Sequence, residues 1–516
     1  MFRSAFICAL LGLSVAAQAQ SYPTPTFQSV ITANDVRFYG ADPTAAKDSA
    51  PAFRSAIAYA VAQGGGTVLV PPGSYLLDTS SSGPIAISGV VTLRCEGNYP
   101  AGVGFAGQLL QATDSGDFFT MTGSSSRIIG CQFGPNHYIP TNGYTIRVQN
   151  GCFLCSIENI VVQYMWRGIA VGRSADFKID TVYGSNLFSP VLIYLGGQPD
   201  NVGGNNTCCA RISRIVANNP WPVSVSPLNR VTWAQNLAVT VGQWAYINGS
   251  LYGVTQAGTT ASTGTGPSGY PPGVTTPAAV WSTAINDGTA QWKYEATCPP
   301  EDGKTAWVVM DSWAATLRID HAELLSGCTG LSMIDSLNTG VSQPLFAEFN
   351  DVELERNFYN TMYLHAGGML QEVNGYASIS LSQAGIRIDP GFGGAMFSNM
   401  LVNNNSTHGF WLRGGVATSI TNSQIYLNNN GTGLSGSANN IAIAPGVSNF
   451  SITNDFIGLV AVPGTPPAPR TGYGVLINSG ASDYYVVTGN ICSGMNTLGC
   501  VSDAGTGTHK TVSGNW

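Results

Sequence analysis

The chain has 516 residues, of which only 9% are charged and 63 are glycine, and its net charge is −7. The small fraction of charged residues argues against disorder driven by charge. The negative net charge and the lack of a basic run argue against a nucleic-acid partner. A chain of this length usually forms several domains, although an array of repeats can form one elongated body.

The first residues have the pattern of a secretory signal peptide. Arg3 precedes an apolar run that extends from Ala5 to Ala17, and the small residues Ala17 and Ala19 form a cleavage pattern. We therefore expect residues 1–19 to be removed near Ala19 and the mature protein to be secreted, either to the periplasm or outside the cell. No later run is long and apolar enough to predict a membrane span.

Ten of the eleven cysteines follow the predicted signal peptide. An even number in an exported protein permits disulfides, although the spacing does not define their connectivity. The simplest local pair joins Cys492 to Cys500, and a second candidate pair joins Cys95 to Cys131.

A helix followed by two strands is predicted near the start of the mature chain. Asp48 provides an N-cap, Pro51 suits the first turn, and apolar residues recur at helical spacing from Ala52 to Val61. Three glycines at 64–66 end the helix, and residues 67–77 form a strand, a turn and a strand.

This stretch resembles a known group of proteins. A Gly40-Ala pair, a polar loop, an alanine-rich helix, three glycines and the run from Val68 to Tyr75 are similar to the N-terminal part of the pectate-lyase-like superfamily. The resemblance covers about forty residues and implies a right-handed parallel β-helix whose open end is capped by the helix. It implies no particular reaction, because that superfamily includes hydrolases, lyases, epimerases and non-catalytic tailspike fibres.

The rest of the chain independently predicts stacked coils. An apolar residue, a polar residue and then Asn or a substitute recur before each apolar strand. The third positions are Asn159, Thr181, Arg214, His321, Asp351, Asn399, Asn422 and Asn454. Asn tolerates left-handed backbone, so these residues are expected to stack at a tight turn. We count about ten coils, which predicts an all-β solenoid.

The coil pattern is absent between residues 228 and 300, where aromatic residues concentrate. These are Trp233, Trp244, Tyr246, Tyr252, Tyr270, Trp281, Trp292 and Tyr294. We expect a small β module inserted between an N-terminal part of the β-helix, residues 20–227, and a C-terminal part, residues 301–516. The rings either form the core of this module or present flat surfaces to sugars.

One short pattern returns three times at intervals of 24 residues. Each copy has two apolar residues that alternate with two outward residues, followed by glycine. If the coils stack in register, equivalent residues lie about 4.8 Å apart. The outward residues then form one patch, which consists of Tyr363, His365, Arg387, Asp389, Trp411 and Arg413.

The patch predicts chemistry on an acidic sugar. Arg387 and Arg413 can neutralise a uronate carboxylate, and His365 with Asp389 can move a proton. Tyr363 and Trp411 would hold sugar rings. The strands resemble those that carry the active site in polygalacturonases, but Arg387-Ile-Asp389 replaces an Arg-x-Lys pair and the other motifs of those enzymes are absent here. The alternative is an outward ladder of ion pairs without function.

A second candidate site is acidic. Aligning the strands after Ile319 and Phe349 stacks Glu323 on Glu353 and His321 on Asp351, with Asp320 nearby. Two carboxyl groups roughly 5 Å apart have the separation of a retaining glycosidase. The alternative is a solvated acidic surface.

No cofactor is expected, and calcium is the alternative. Glu158 and Asp180 align in consecutive coils and, with Asp320, could supply oxygen ligands.

Together these features predict a secreted enzyme that cleaves an acidic polysaccharide by elimination or hydrolysis. The alternative is a non-catalytic carbohydrate-binding surface or matrix protein, or a tailspike-like adhesin. The sequence permits a monomer or a homotrimer.

Overall fold

The computed structural model describes residues 33–97, 107–197, 207–219, 229–299, 303–337, 344–428, 439–458, 471–492 and 496–516. The predicted signal peptide lies outside these ranges. Within them, no helix is long and apolar enough to cross a membrane.

Two helices open the described chain. A 3₁₀ helix spans Val36–Tyr39, and an α-helix, α1, spans Ala50–Ala62. Asp48 Oδ1 accepts a hydrogen bond from the backbone nitrogen of Ala50 at 2.9 Å, which satisfies one free donor at the start of α1. The helix buries Phe53 completely, and it packs against the first strands of the solenoid.

The remaining chain winds into coils with three faces of parallel strands, which confirms the predicted parallel β-helix. Face A contains Ile85–Ile87, Phe119–Met121, Ile146–Val148, Ile169–Val171, Ile193–Leu195, Ala306–Met310, Thr329–Met333, Phe410–Leu412, Ile441–Ile443, Thr471–Gly480 and Asn496–Gly505. Face B contains Gly66–Val70, Val91–Cys95, Arg127–Ile129, Ala210–Ile212, Thr316–Ile319, Phe346–Asn350, Thr418–Thr421, Phe450–Thr453, Tyr485–Thr488 and Lys510–Ser513.

Face C contains Thr44–Asp48, Ser74–Leu77, Gln108–Gln111, Gln132–Pro135, Ile215–Asn218, Ala322–Leu325, Val352–Glu355, Tyr376–Ser378, Leu401–Asn403, Gln424–Tyr426, Phe456–Ile457 and Ile491–Cys492. Four longer strands turn a corner. Ser156–Gln163 and Lys178–Ser185 continue from face B into face C, and Met362–Val373 and Ile386–Ser398 continue from face A into face B.

The core lies inside the coils. Alternate residues of each strand point inward and stack on equivalent residues of the next coil, as Met362, Ile386 and Phe410 do on face A. All three are fully buried. Because every rung adds such residues, one continuous apolar core runs the length of the solenoid.

The predicted column of left-handed residues is present at six of its eight positions. Positive φ angles occur at Asn159, Thr181, Asp351, Asn399, Asn422 and Asn454. Arg214 and His321 do not have positive φ, and at these two positions the prediction is wrong. Asn374, whose φ is 58°, also belongs to the column; it accepts a hydrogen bond from Asn399 Nδ2 and donates one to Asn350 Oδ1, beside the column.

A separate antiparallel sheet interrupts the coils. Its strands are Trp244–Ile247, Ser250–Gln256, Ala290–Thr297 and Ala284–Asp287, and it is accompanied by the pair Ala238–Val239 and Gly258–Thr259 and the helix Pro277–Ser282. The ladder of face A continues without the module, because Ile193–Leu195 pairs directly with residues 308–310. Trp292, Tyr252 and Tyr294 are fully buried, so these rings form a core. The boundaries at 228 and 300 stay a prediction.

The described part of the chain contains five disulfides. They join Cys95–Cys131, Cys152–Cys155, Cys208–Cys209, Cys298–Cys328 and Cys492–Cys500. Both pairs predicted from the sequence are therefore confirmed. A further two-stranded sheet, Ser174–Ala175 with Thr207–Cys208, lies beside the third disulfide.

Candidate functional site

The 24-residue repeat places the patch on the outer side of face A. Tyr363 pairs with Arg387, and Arg387 pairs with Trp411, in three consecutive rungs. The register then shifts, because the strand that contains Asp389 has one more residue than its neighbour between the rungs of Leu364 and Ala366. Such a bulge re-aims the side chains next to it.

Asp389 lies at the centre of the patch, and its carboxylate contacts each of the other polar side chains of the patch. Its Oδ2 atom accepts hydrogen bonds from His365 Nδ1 and Tyr363 Oη, each at 3.0 Å. Arg387 donates to both carboxylate oxygens, through Nη2 and Nε, each at 2.9 Å. Arg413 Nη1 lies 3.4 Å from Oδ1. The predicted residues are therefore in contact with one another.

These contacts define the charge state of Asp389. Burial alone would raise the pKa of this carboxyl group, but the hydrogen bonds from His365, Arg387 and Tyr363 hold the pKa well below its usual range. An ionised carboxylate can only accept hydrogen bonds. His365 therefore carries its proton on Nδ1, and in the neutral imidazole the lone pair is on Nε2.

The patch has a buried floor and an exposed rim. The side chains of Asp389 and Arg387 are only 5% and 12% exposed, and Tyr363 is buried. In contrast, the side chains of His365 and Arg413 are 52% and 40% exposed. A ligand in solution can therefore reach the rim directly.

Because Arg387 and Tyr363 are largely buried, their roles differ from the predicted role of substrate ligands. The guanidinium of Arg387 is bound to Asp389, and its central carbon lies 4.8 Å from the ring centre of Tyr363 and 5.6 Å from that of Trp411. The Tyr363 hydroxyl is equally committed to the carboxylate. We therefore place both residues beneath the rim, where they hold Asp389. Half-buried Trp411, with Arg413 4.9 Å from its ring centre, belongs to the rim.

Sequence reasoning missed two supporting residues. Gln383 Oε1 accepts from Arg387 Nη1 at 3.3 Å, and the ring of His408 lies 5.7 Å from that of Trp411. Burial lowers the pKa of His408 to about 4, so this imidazole is neutral at ordinary pH. Gln383 lies three residues before one patch strand, and His408 lies two residues before the next. This position is the only signal in the sequence that points to them.

The acidic candidate site forms on face C. Glu323 and Glu353 are in register on adjacent strands, as the alignment predicts. His321 lies between two carboxylates, with Nδ1 2.7 Å from Asp351 and Nε2 3.3 Å from Glu323. The hydrogen bond to Asp351 is the main cause that raises the pKa of His321. Burial, Glu355 and Glu323 raise the pKa of Glu353.

Asp320 does not join this cluster. It lines a cleft of about 470 Å³ together with Lys178 and Arg211. The other two proposed calcium ligands are also bound elsewhere. Glu158 receives a hydrogen bond from Arg127 at 2.7 Å, and Asp180 receives one from Lys178 at 3.1 Å.

Glu158 and Asp180 belong to an ion ladder. Face B carries a column formed by Arg127, Ser156, Lys178, Arg211 and Arg318, and these two acids are in register in the column beside it. Across the described part of the chain, no group of three or more histidine, cysteine, aspartate or glutamate side chains has the arrangement of a metal site.

Comparisons with known proteins give distant structural matches only. No protein-family model matches the chain, and no curated protein matches it. The A-module of the mannuronan C-5 epimerase AlgE4 from Azotobacter vinelandii has a TM-score of 0.47 and 12% identity, with 93% of this chain and 100% of that chain covered.

A mutant tailspike protein of E. coli bacteriophage HK620, in complex with a pentasaccharide, has a TM-score of 0.49 and 9% identity, with coverages of 92% and 78%. An exopolygalacturonase from Thermotoga maritima has a TM-score of 0.36 and 10% identity, with 91% of each chain covered. Similarity at this level carries no conclusion about activity, and the fold assignment rests on the strand ladders themselves.

Proposed function

We propose that the protein is an enzyme that cleaves an acidic polysaccharide by elimination, with His365 as the base. The observation that carries this proposal is the contact between His365 Nδ1 and Asp389 Oδ2 at 3.0 Å on a side chain that is 52% exposed. It leaves the Nε2 lone pair directed away from the carboxylate and accessible to a substrate. A base oriented by a buried carboxylate is a common arrangement for proton transfer.

The reaction needs one proton acceptor and one cation. His365 Nε2 takes the proton from the carbon next to the uronate carboxylate, and the electron pair of that bond forms a carbon–carbon double bond. The glycosidic bond to the neighbouring ring carbon breaks, and the departing oxygen takes a proton from the imidazolium. The double bond remains in the new non-reducing end, so each cleavage produces one unsaturated uronate.

Arg413 is the cation in this scheme. Its contact with the Asp389 carboxylate is long, at 3.4 Å, and 40% of its side chain is exposed, so its remaining donors can bind a uronate. Neutralising the substrate carboxylate makes the adjacent proton more acidic. Trp411 would contact the sugar ring, and Arg387 would position Asp389.

Elimination suits this patch better than hydrolysis does. Hydrolysis by the usual mechanism uses two carboxyl groups, one of which is protonated. The patch contributes one carboxyl group, Asp389, which is buried, ionised and bound to arginine.

The test is digestion of a panel of acidic polysaccharides, with ultraviolet absorbance of the unsaturated product as the measure. We expect His365→Gln to reduce the rate by about 10²- to 10⁴-fold. The matched control is His509→Gln, because His509 Nδ1 also contacts an aspartate, Asp483, at 3.0 Å but lies in the last coil. Normal absorbance from the His365 variant would contradict the proposal.

A second candidate function is hydrolysis at the acidic cluster. The raised pKa of Glu353 suits a general acid, while Glu323 in the next rung lies against His321 and suits a base or nucleophile. This function would be favoured if the protein released reducing ends without ultraviolet absorbance and if Glu353→Gln abolished that release. Retention of a polysaccharide without either product would favour the non-catalytic carbohydrate-binding alternative.

We also propose that the protein acts outside the cytoplasm. Five disulfides are typical of proteins that mature in an oxidising compartment. Detection of the N-terminus after cleavage near Ala19 in a periplasmic or culture fraction tests this proposal.

A further inference from the structure

A cleft of about 490 Å³ lies near the N-terminal end of the solenoid, far from the patch. It is bounded by turns of three consecutive coils. Its walls are formed by Thr79, Ser80, Gly83, Pro84, Ala112, Thr113, Asp114, Ser115, Gly116, Asp117 and Tyr138. We call this surface the N-terminal cleft.

The turns around the N-terminal cleft are fixed by hydrogen bonds. Thr79 Oγ1 lies 3.2 Å from Thr113 Oγ1, which joins two of the turns. Buried Gln111 donates from Nε2 to Thr113 Oγ1 at 3.1 Å and to the carbonyl of Gly116 at 3.3 Å. Arg54 of α1 donates to the carbonyl of Pro84 at 3.0 Å. The cleft is therefore preformed, and a ligand would lose little free energy in ordering it.

Two groups on its walls remain open to a ligand. The ring of Tyr138 is 54% exposed. Asp114 is exposed, and its carboxylate has no hydrogen-bond or ion-pair partner among the residues that the structure describes. An aromatic face packs against the apolar side of a pyranose, and a carboxylate accepts hydrogen bonds from sugar hydroxyls.

The charge of the cleft selects the kind of sugar. Asp117 faces Arg147 in an ion pair, and it also accepts from the backbone nitrogen of Tyr144 at 2.9 Å. The arginine is thus neutralised, and the charge of Asp114 is balanced by Arg54, which donates to the carbonyls of Gly83 and Pro84 on the cleft wall. The cleft therefore has no excess positive charge to attract an anionic sugar, whereas a neutral sugar needs none.

We propose that the N-terminal cleft binds a neutral pyranose unit of the polysaccharide. The inference rests on the proposed function only in taking a polysaccharide as the ligand. Arg147 stands in the same outward row of face A as Tyr363, five rungs away. At about 4.8 Å per rung this separation is about 24 Å. The four residues between them in this row are buried, so a chain that reaches both sites would lie across the turns beside the row. The substrate would then contain neutral as well as acidic units.

Two contacts on one chain raise the affinity for polymer above that for short fragments. The cleft variants are therefore expected to impair cleavage of long chains while leaving cleavage of short acidic fragments unchanged.

The direct test is electrophoresis of the purified protein through native gels that contain a polysaccharide. The neutral probes are dextran, galactomannan and xylan, and the acidic probes are alginate and polygalacturonate. We expect at least one neutral probe to retard the protein, and Tyr138→Ala and Asp114→Ala each to weaken that binding by about tenfold. The control is Tyr484→Ala, because Tyr484 is similarly exposed at 57% but lies at the other end of the solenoid.

The outcomes separate this inference from the proposed function. Retardation by no neutral probe, or equal retardation of the cleft variants and the parent protein, would overturn it even if elimination were observed. Binding lost in the two cleft variants but kept in His365→Gln would support it even if no polysaccharide were cleaved. Circular dichroism of each variant checks that the coils are intact.

Discussion

Asp389 shows how one buried charge organises a surface site. A carboxylate that is only 5% exposed needs compensation, and here an imidazole and a bidentate arginine supply it together. The same carboxylate also fixes the tautomer of exposed His365. The stability of this part of the solenoid and the orientation of the proposed catalytic group therefore depend on one residue.

The first prediction concerns Asp389→Asn. The variant leaves Arg387 buried without its counter-charge, so we expect the free energy of unfolding at pH 7 to fall by about 3 kcal/mol. Because the folded-state pKa of Asp389 is lowered, its contribution is present above the unfolded pKa near 4 and is lost as the pH falls below it. Urea denaturation of both proteins between pH 7 and pH 3 should show the difference shrinking with acidity. A difference that grows as the pH falls would contradict this assignment.

Asp455 shows the opposite effect of burial. It occupies one position in an internal ladder in which each side-chain oxygen accepts from the backbone of the preceding coil. Ser423 N donates to Asp455 Oδ1 at 2.7 Å, and Asp455 N donates to Asn490 Oδ1 at 3.0 Å. Asn490 also uses its Nδ2 group to bind the carbonyl of Ile452, whereas Asp455 Oδ2 has no partner within the described ranges.

The second prediction is that Asp455→Asn stabilises the protein. Burial raises the pKa of Asp455 to about 7, although the backbone hydrogen bonds from Ser423 and Thr453 oppose the shift. Between about pH 4 and pH 7 the folded state keeps a proton that the unfolded chain loses, so stability falls as the pH rises. The variant removes this loss, by on the order of 4 kcal/mol at most.

Thermal unfolding at pH 4 and pH 8 measures the effect of Asp455→Asn. The reverse change one coil later, Asn490→Asp, is the matched control and should introduce a stability loss that grows with pH. Equal melting temperatures of the parent protein and Asp455→Asn at pH 8 would exclude a buried charge at this position.

At the scale of the elements, the column of left-handed residues sets the corner between faces B and C. A left-handed backbone costs an ordinary residue about 1 kcal/mol or more, while glycine adopts it freely. Asn399 has a φ of 56° and donates from Nδ2 to Asn374 Oδ1 at 3.2 Å. The column therefore combines a tolerated backbone with a chain of side-chain hydrogen bonds.

The third prediction uses this column. We expect Asn399→Ala to reduce the free energy of unfolding by about 1–2 kcal/mol and Asn399→Gly to reduce it by less. At Arg214, which has the same motif position but no left-handed backbone, the order should reverse, with glycine worse than alanine. Denaturant titration of the four variants gives the comparison. The same order at both positions would mean that the backbone does not decide the preference.

The bulge in the patch strands is a second feature at this scale. Met362–Val373 and Ile386–Ser398 run through the corner between faces A and B without a break, and the extra residue lies at their shared bulge. Pro390 follows Asp389 there and has no backbone hydrogen to donate to a ladder. The irregularity brings the Asp389 carboxylate within reach of Arg413 as well as His365.

For the whole molecule, regular spacing made the coil stack and the row of Tyr363, Arg387 and Trp411 predictable. Alternation tells which residues point outward, but it does not tell which outward residues are then covered. Arg387 is buried because two rings flank it and a carboxylate holds it, and these contacts depend on the bulge and on loop residues such as Gln383.

Prediction from residue type also fails inside the solenoid, where an acidic side chain is buried. Glu372 stacks between Phe349 and Phe397 in an inward column, and burial raises its pKa to about 8. A charged residue type normally marks an outward position, so residue type predicts the wrong side of the strand for Glu372.

The inserted module is held to the coils by contacts of two kinds. On one side, Trp281 packs against Phe188 at a ring distance of 4.6 Å. On the other, Tyr246 stacks on Phe358 at 4.7 Å, and the disulfide Cys298–Cys328 lies beside this stack. Since face A continues past the module, the coils do not need it to complete their ladder.

The last prediction follows from that separation. We expect the double variant Cys298→Ala/Cys328→Ala to make the module more susceptible to proteolysis, because a disulfide that closes a loop of 30 residues contributes about 3.6 kcal/mol. The coils should keep their far-ultraviolet circular dichroism and their melting temperature. The matched control is the double variant Cys95→Ala/Cys131→Ala. It removes a link between the coils and should lower the melting temperature of the coils instead. Cleavage of the first variant within the coils rather than between residues 229 and 299 would show that the module and the solenoid unfold as one unit.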